Sequence, residues 1–474
     1  MSDATGHKVW RVGTLTYTSA GLVTLFFLLL AGDFAWSMRD RSAGPMAQWY
    51  LGHLKVPNFV FGLLLTSFPA LVGLILGPII SVKSDRHRGK WGRRIPFLLV
   101  TTPLAAFGMI GLGLTPVLAK WLHSLGTPGH PFGAWLHATL GGSALGGRLL
   151  SLVENEMVVS VVCFAVFWAA FELATIAGQS VFGGLINDVV PHSLMGRFYG
   201  FFRAVSLIDG MIFNYWIMGR VPEYFTLILI CIGVFYGAAF LWVCIKVKEG
   251  EYPPPPPVIP GKAGRIAEVK GYFKESFSRP YYVFVFVMLM TGSLCFMPVN
   301  AFSIPYAESV GMSMTTYGHC LALTYAFSLC LSFLLGWLSD KFHPIRTSMA
   351  SIAGYIVVSG LGMMFATTPE RFAITFVAHG IIAGCYFTSA ASLGQRLFPQ
   401  SKYAQFASAA GIIASLGTMA IGPAVGSLID VTGRVYRYTF LAGSIMSAVA
   451  LVAAWLVYGH FKKLGGPTGY VAPE

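Results

Sequence analysis

Three carboxylates stand where carboxylates are costly. Asp33, Glu172 and Asp209 lie well inside long apolar runs of a 474-residue chain that has only nineteen acidic residues. A charged side chain in mid-bilayer costs at least about 2.5 kcal/mol on insertion scales, so one that persists there faces a cavity, a partner or a solute path. The chemistry open to such groups is proton uptake and release, cation holding, or acceptance of hydrogen bonds from solute hydroxyls. A structural ion pair is the plainer alternative. Glu172 falls about fifteen residues into its run, near the midplane by helix rise. Asp33 falls near the outer end of the first run, and Asp209 inside the fifth. Arg203 lies about six residues into that fifth run, roughly 9 Å from its start, close enough for the guanidinium to reach the cytoplasmic face. His379 precedes Pro399 by twenty residues and Glu172 precedes Pro191 by nineteen, which places imidazole and acid at similar depths. A satisfied core histidine is the plainer reading of His379, and more so of His319. Trp36, Trp168, Trp216 and Phe387 could stack on a sugar face, although most aromatics here belong to the core or to lipid.

The elements that hold these residues follow from composition. Hydrophobic residues make up 55% of the chain and charged ones 11%, well short of the roughly 25% charge of a soluble domain. Apolar stretches long enough to cross a ~30 Å hydrocarbon core recur throughout. They predict spans at 12–37, 56–82, 95–119, 157–186, 197–219, 223–247, 281–306, 314–338, 345–367, 371–396, 403–429 and 435–460. The fold class expected is an all-α membrane protein of twelve transmembrane helices in two pseudo-symmetric six-helix bundles, residues 1–248 and 281–474. Between them, 249–280 reads as a cytoplasmic linker: a proline run at 253–257, which cannot continue a helix, then a short amphipathic segment, RIAEVKGYFKESFSRP. All seven cysteines fall in apolar spans and no CxxC occurs, so neither a disulfide framework nor a metal site is expected. No cleavable signal peptide is expected, because a short polar segment runs directly into the first span.

Lys and Arg set the orientation. With the N-terminus inside, 22 of the 32 basic residues fall on the inner side and nine on the outer, Arg203 being within a helix. Both termini are therefore expected in the cytoplasm, in a multi-pass protein of the cell membrane. The densest basic run, SDRHRGKWGRRIPF at 84–97, is then an inner loop, and nucleic acid is not an expected partner of the net charge of +13.

The two halves repeat a template. Ser84-Asp85-Arg86, followed by Gly92, Arg93 and Arg94, is echoed by Ser339-Asp340-Lys341, followed by Arg346. DVVPHSLMGRF at 188–198 and RLFPQSKYAQF at 396–406 align without gaps, which sets Asp188 against Arg396 and Arg197 against Gln405. Repeated six-helix halves are the plan of a secondary transporter. GPIISVKS at 77–84 misses the second glycine that a phosphate-binding loop needs, and it ends an apolar helix, so nucleotide hydrolysis is not expected. HExxH, a paired metal motif and a nucleophile elbow are all missing, so neither an enzyme nor a cofactor is expected.

The pattern Asp85-Arg86-x5-Gly92-Arg93-Arg94 resembles the signature of the major facilitator superfamily, and the longer run is most similar to the glycoside–pentoside–hexuronide:cation symporters and the related sucrose transporters. Glu172, Gln179 and Asp188 keep the spacing of an acidic, a Gln and an Asp residue on helix 4 of the sucrose transporters, with Glu in place of Asp. The sequence departs from the superfamily at Ser81, where a glycine is usual, and from melibiose-type symporters in that 56–82 holds no Asp or Glu, which argues against sodium there. The resemblance implies alternating-access symport of a small solute, a sugar or glycoside, with a coupling cation, a proton rather than sodium. Glu172, Gln179, Asp209, Asp33, Arg203 and His379 become candidates for substrate and proton coupling. Asp85, Arg86, Gly92, Arg93, Arg94, Asp188, Arg197, Asp340, Lys341 and Arg346 become an inner-gate motif. The alternative is efflux or antiport of another small organic solute by the same fold.

Overall fold

A computed structural model describes residues 9–254 and 262–473. Residues 255–257 of the proline run lie outside the described residues. The chain opens with a two-stranded antiparallel hairpin, β1 (Trp10–Val12) and β2 (Leu15–Tyr17), which turns at Gly13 with φ +56°. Helix α1 (Ser19–His53) follows, its start capped by Thr18 Oγ1, which accepts the Gly21 N–H at 3.2 Å. The expected first span, 12–37, is thus displaced toward the C-terminus. Asp33 falls mid-helix, and the Arg39-Asp40-Arg41 triplet lies within the helix instead of in a loop. Arg39 and Asp40 pair with each other, so the helix carries them without ending.

The membrane helices continue as α2 (Asn58–Arg86), α3 (Ile95–Gly126), two short helices α4 (Pro131–Leu140) and α5 (Ala144–Val153), α6 (Glu156–Val189), α7 (Met195–Ile212) and α8 (Val221–Lys246). The second half holds α9 (Lys262–Phe277), α10 (Pro280–Ala301), α11 (Ser303–Ser309), α12 (Met314–Phe342), α13 (Pro344–Phe365), α14 (Pro369–Leu397), α15 (Tyr403–Val431), α16 (Tyr438–Lys463) and α17 (Gly466–Gly469). Eleven helical runs among the described residues are long and apolar enough to cross a membrane. One of them, His192–Lys246, has 55 residues, more than twice the ~20 a crossing needs. Its geometry changes through Phe213–Arg220 and breaks at Tyr224 (φ −116°, ψ 26°), so α7 and α8 are two of the twelve expected helices. α9 occupies the segment expected to be a short amphipathic helix.

The chain forms two compact units. The first comprises Met1–Val56, Ile75–Asp209 and Arg220–Pro255. Its core gathers around Trp36, which stacks on Phe182 (5.3 Å) and meets Phe240 (5.2 Å). Trp168 is likewise buried, stacked on Phe164, so these two tryptophans are core residues, whereas Trp216 and Phe387 are exposed. The second unit comprises Pro57–Leu74, Gly210–Gly219 and Pro256–Glu474, with a core around Tyr282, Phe286, Phe398 and Phe406. In it the first turns of α2 lie against α15. Asp430 accepts the backbone N–H groups of Asn58 and Phe59 (2.9 Å each) and the Asn58 Nδ2–H (2.7 Å), which satisfies donors that open a helix. Gly422 makes this approach possible, since a Cβ there would overlap the Thr66 hydroxyl.

Candidate functional site

The buried charges of the first unit come together from three helices. α1 contributes Asp33, Arg39, Asp40 and Arg41; α6 contributes Glu172; α7 contributes Asp209. Arg39 is fully buried, an expensive position for a cation. Its guanidinium lies against the rings of Trp36 (3.9 Å) and Tyr236 (4.6 Å), a cation–π arrangement strengthened by burial. Nε and Nη2 both donate to Asp40 Oδ1, at 3.1 and 2.6 Å, while Nη1 has no hydrogen-bond acceptor among the described residues. Glu172 is half-buried on α6, and the charges it feels are those of Asp40 and Arg39.

Asp209 is 0% exposed, and neither carboxyl oxygen has a hydrogen-bond partner among the described residues. Asp33 is 6% exposed, and its Oδ2 is in the same position. The charges acting on Asp209 are Asp33 and Arg41, and those acting on Asp33 are Asp40 and Arg41. Arg41 Nη2 donates to Ser206 Oγ at 2.9 Å, one turn of α7 before Asp209. Four carboxylates thus share two guanidinium groups. Buried polar atoms in proteins are nearly always hydrogen-bonded, so oxygens left open are a reservoir for a proton, a cation or a solute donor.

The other candidates lie apart from this group in kind. Gln179 on α6 and Arg203 on α7 are exposed. His379 is buried in the second unit, with the Tyr355 hydroxyl at 2.9 Å from Nδ1 and Asn300 Oδ1 at 3.0 Å from Nε2. That pattern suits one neutral tautomer, with Nε2–H donating and Nδ1 accepting, and leaves the ring no free nitrogen.

A second cluster in the first unit is built from the basic run. Asp85 ends α2, Asp188 ends α6, and Arg93 and Arg94 precede α3. Arg93 grips Asp188 with two bonds, Nε to Oδ2 at 2.9 Å and Nη2 to Oδ1 at 2.6 Å. Arg94 reaches Asp188 Oδ2 (3.2 Å), Ser84 Oγ (2.6 Å) and Asp85. The hydrogen bond to Asp188 raises the Arg93 pKa further above its ordinary value. Glu249 closes the network. Its carboxylate accepts the backbone N–H groups of Arg93 (2.9 Å), Arg94 (2.8 Å) and Ile95 (2.7 Å), so an anion sits on the N-terminus of α3. Gly92 turns the chain at φ +94° beneath it. Tyr252 donates to Glu249 (2.7 Å), and burial followed by that carboxylate raises the phenol's pKa. Arg86 and Arg197 are exposed.

The matching corner of the second unit is sparser. Arg396 Nη2 reaches Asp340 at 2.8 Å, Arg346 Nε donates to the Tyr458 hydroxyl at 2.6 Å, and Lys341 lies over Trp337. His343 joins α12 to α13 at φ +75°; burial, then Arg396 and Arg346, lower its pKa to about 4.

Sequence reasoning missed Arg39, Asp40 and Arg41, assigned to a loop, and Glu249 with Tyr252, read as linker. An Arg three residues after Trp36 in a helical register was the available signal for the first group. The acids Glu249 and Glu251, directly after Lys246 and Lys248 and ahead of the proline run, were the signal for the second.

Residues 284–470 match the family model described as Major Facilitator Superfamily. No curated relative matches the chain. Solved structures of similar fold include a bacterial homologue of the human lysosomal transporter Spinster (14% identity, TM-score 0.62, covering 96% of this chain and 98% of that one). They also include a D-xylose–proton symporter (13%, TM-score 0.63, covering 92% and 97%) and a nucleoside transporter (10%, TM-score 0.64, covering 92% and 100%).

Proposed function

We propose that this chain, a multi-pass membrane transporter of the major facilitator superfamily, carries a sugar or glycoside together with a proton by alternating access. In this reading the chain is built of the bundles 1–248 and 281–474, and both termini are cytoplasmic. One observation carries the coupling assignment: the Asp209 carboxyl is buried with both oxygens unpartnered among the described residues, and the charges acting on it are Asp33 and Arg41. A carboxylate's charge decides what its burial costs, so proton uptake at Asp209 changes the energy of the state that buries it. Arg39 and Asp40 offset each other, and Glu172 beside them is the acceptor for solute hydroxyls or a second proton site. The carbohydrate assignment rests on the resemblance of the 84–97 run and of Glu172, Gln179 and Asp188 to sugar symporters.

Uptake into proteoliposomes, against a panel of mono- and disaccharides with and without an inward proton gradient, is the test. Wild type should accumulate one of these solutes only with the gradient. Asp209→Asn should lose accumulation by tenfold or more while exchange of labelled for unlabelled solute survives. Normal accumulation with normal pH dependence in Asp209→Asn would move coupling to Glu172, for which Glu172→Gln is the matching variant. Proton movement opposite to solute movement would identify antiport.

A further inference from the structure

The stretch between α3 and α6 is a built hairpin of two short helices. His130 Nδ1 accepts the Phe132 N–H at 3.3 Å to start α4, and Ser143 Oγ accepts the Gly146 N–H at 2.9 Å to start α5. Gly133 and Gly146 let the chain fold back: a Cβ at either would overlap a carbonyl, of Thr127 or of Leu140. The base is held where His123 Nε2 meets the Glu154 carbonyl at 2.9 Å and the His137 imidazole approaches the Glu154 carboxylate at 3.6 Å.

This ordered element turns apolar side chains outward. α5 exposes Leu145 (71%), Leu149 (45%) and Leu152 (49%), spaced i, i+4, i+7 on one helical stripe; Arg148 and Ser151 are exposed between them. α4 exposes Phe132 and Trp135. Burying such a side chain is worth about 1.5–3 kcal/mol each, so a face like this in water is a substantial cost. Next to the stripe an almost wholly apolar groove of about 430 Å³ runs between Leu152 of α5, Trp121 and Leu122 of α3, and Val159, Val162 and Val166 of α6. Trp121, Val162 and Val166 are themselves exposed on membrane-spanning helices, so the groove opens onto the surface those helices give to hydrocarbon. Tryptophans at such a level suit the headgroup boundary, and Lys120 and Arg148 suit its phosphates.

We propose that the α4–α5 hairpin lies in the bilayer interface, with its Leu145–Leu149–Leu152 stripe in lipid and an acyl chain of a phospholipid in the groove. It is an amphipathic anchor attached to the end of a transmembrane helix pair, not a lid in water. Spin labels test this on the full chain in phospholipid nanodiscs, with the exposed Cys231 and Cys330 changed to Ser. Labels on Leu145→Cys and Leu149→Cys should relax more with oxygen than with a water-soluble nickel chelate, and labels on Arg148→Cys and Ser151→Cys the reverse. Nickel access at all four positions would overturn the proposal in favour of a solvated lid. Shielding of 145 and 149 from both reagents would overturn it in favour of a second protein copy on the stripe. A conservative variant guards against misfolding: acyl-brominated phospholipid should quench a smaller share of tryptophan emission in Trp135→Phe than in wild type. An unchanged share would count against lipid contact.

Discussion

At the corner before α3, Arg94 is 7% exposed and bonds to Asp85, Asp188 and Ser84. At the corner before α13, Arg396 meets Asp340 alone, with side-chain exposures of 38% and 77%. Both corners descend from one template, yet the aligned position that holds an acid in the first, Asp188, holds a base in the second, Arg396. The first corner therefore needs a bridging cation between two acids, and it has two, Arg93 and Arg94. The second closes with one direct pair. The first also has a carboxylate on its helix N-terminus, Glu249 on α3; the second relies on His343 Nδ1, which accepts the Ile345 N–H at 3.3 Å. A motif shared in letters is thus unequal in strength. Removing one partner of a buried charge network leaves the rest desolvated and costs about 3–5 kcal/mol, whereas an exposed pair contributes about 0–1 kcal/mol.

Mutations can widen or erase that contrast. Arg94→Ala should have the largest effect, a loss of about 3 kcal/mol, because Asp188 and Ser84 lose a donor in a mostly dry site; thermal unfolding in detergent reads it. Glu249→Ala comes next, at about 1–3 kcal/mol, since three N–H groups lose their acceptor together. Glu249→Gln should recover part of this, which separates hydrogen bonding from charge. Gly92→Ala should cost about 1–3 kcal/mol, because a side chain at φ +94° is strained and its Cβ meets Glu249. At the other corner, Arg396→Ala should cost no more than about 1 kcal/mol; a loss as large as that of Arg94→Ala would refute the contrast.

A pH dependence marks the second corner as well. His343 has a folded pKa of about 4, below the ordinary histidine value of about 6.5. The unfolded chain binds the extra proton between those values, so this contribution is complete above about pH 6.5 and is lost as pH falls toward 4. His343→Asn should flatten that slope in unfolding measurements from pH 4 to 7. An unchanged slope would show that the imidazole titrates alike in the folded and unfolded chain.

How much of this was legible in the sequence differs by feature. Spans were readable because hydrocarbon thickness sets a length that apolar runs must meet. The pairing of Asp85 with the basic run was readable because the motif keeps its members within ten residues. Arg39 was not, since three successive charged residues look like a loop until the rings of Trp36 and Tyr236, two hundred positions apart, are seen against the guanidinium. Glu249 was hidden for a similar reason: its partners are some 155 residues earlier, and backbone N–H groups have no sequence signature. Asp430 on the start of α2, 372 residues away from Asn58, is the extreme case.

Glu249 and Tyr252 also set an order of events during synthesis. The charge network at the start of α3 lacks its last two members until residue 252 leaves the ribosome, and it then depends on nothing encoded later. Its closure falls at the proline run, before the first helix of the second half is made. The first turns of α2 have the opposite schedule, because Asp430 and Gly422 arrive near the end of the chain. Domains fold as units while the chain emerges, N-terminal first. The basic corner can therefore set early, while the opening turns of the second helix stay unseated until almost the whole protein has been translated.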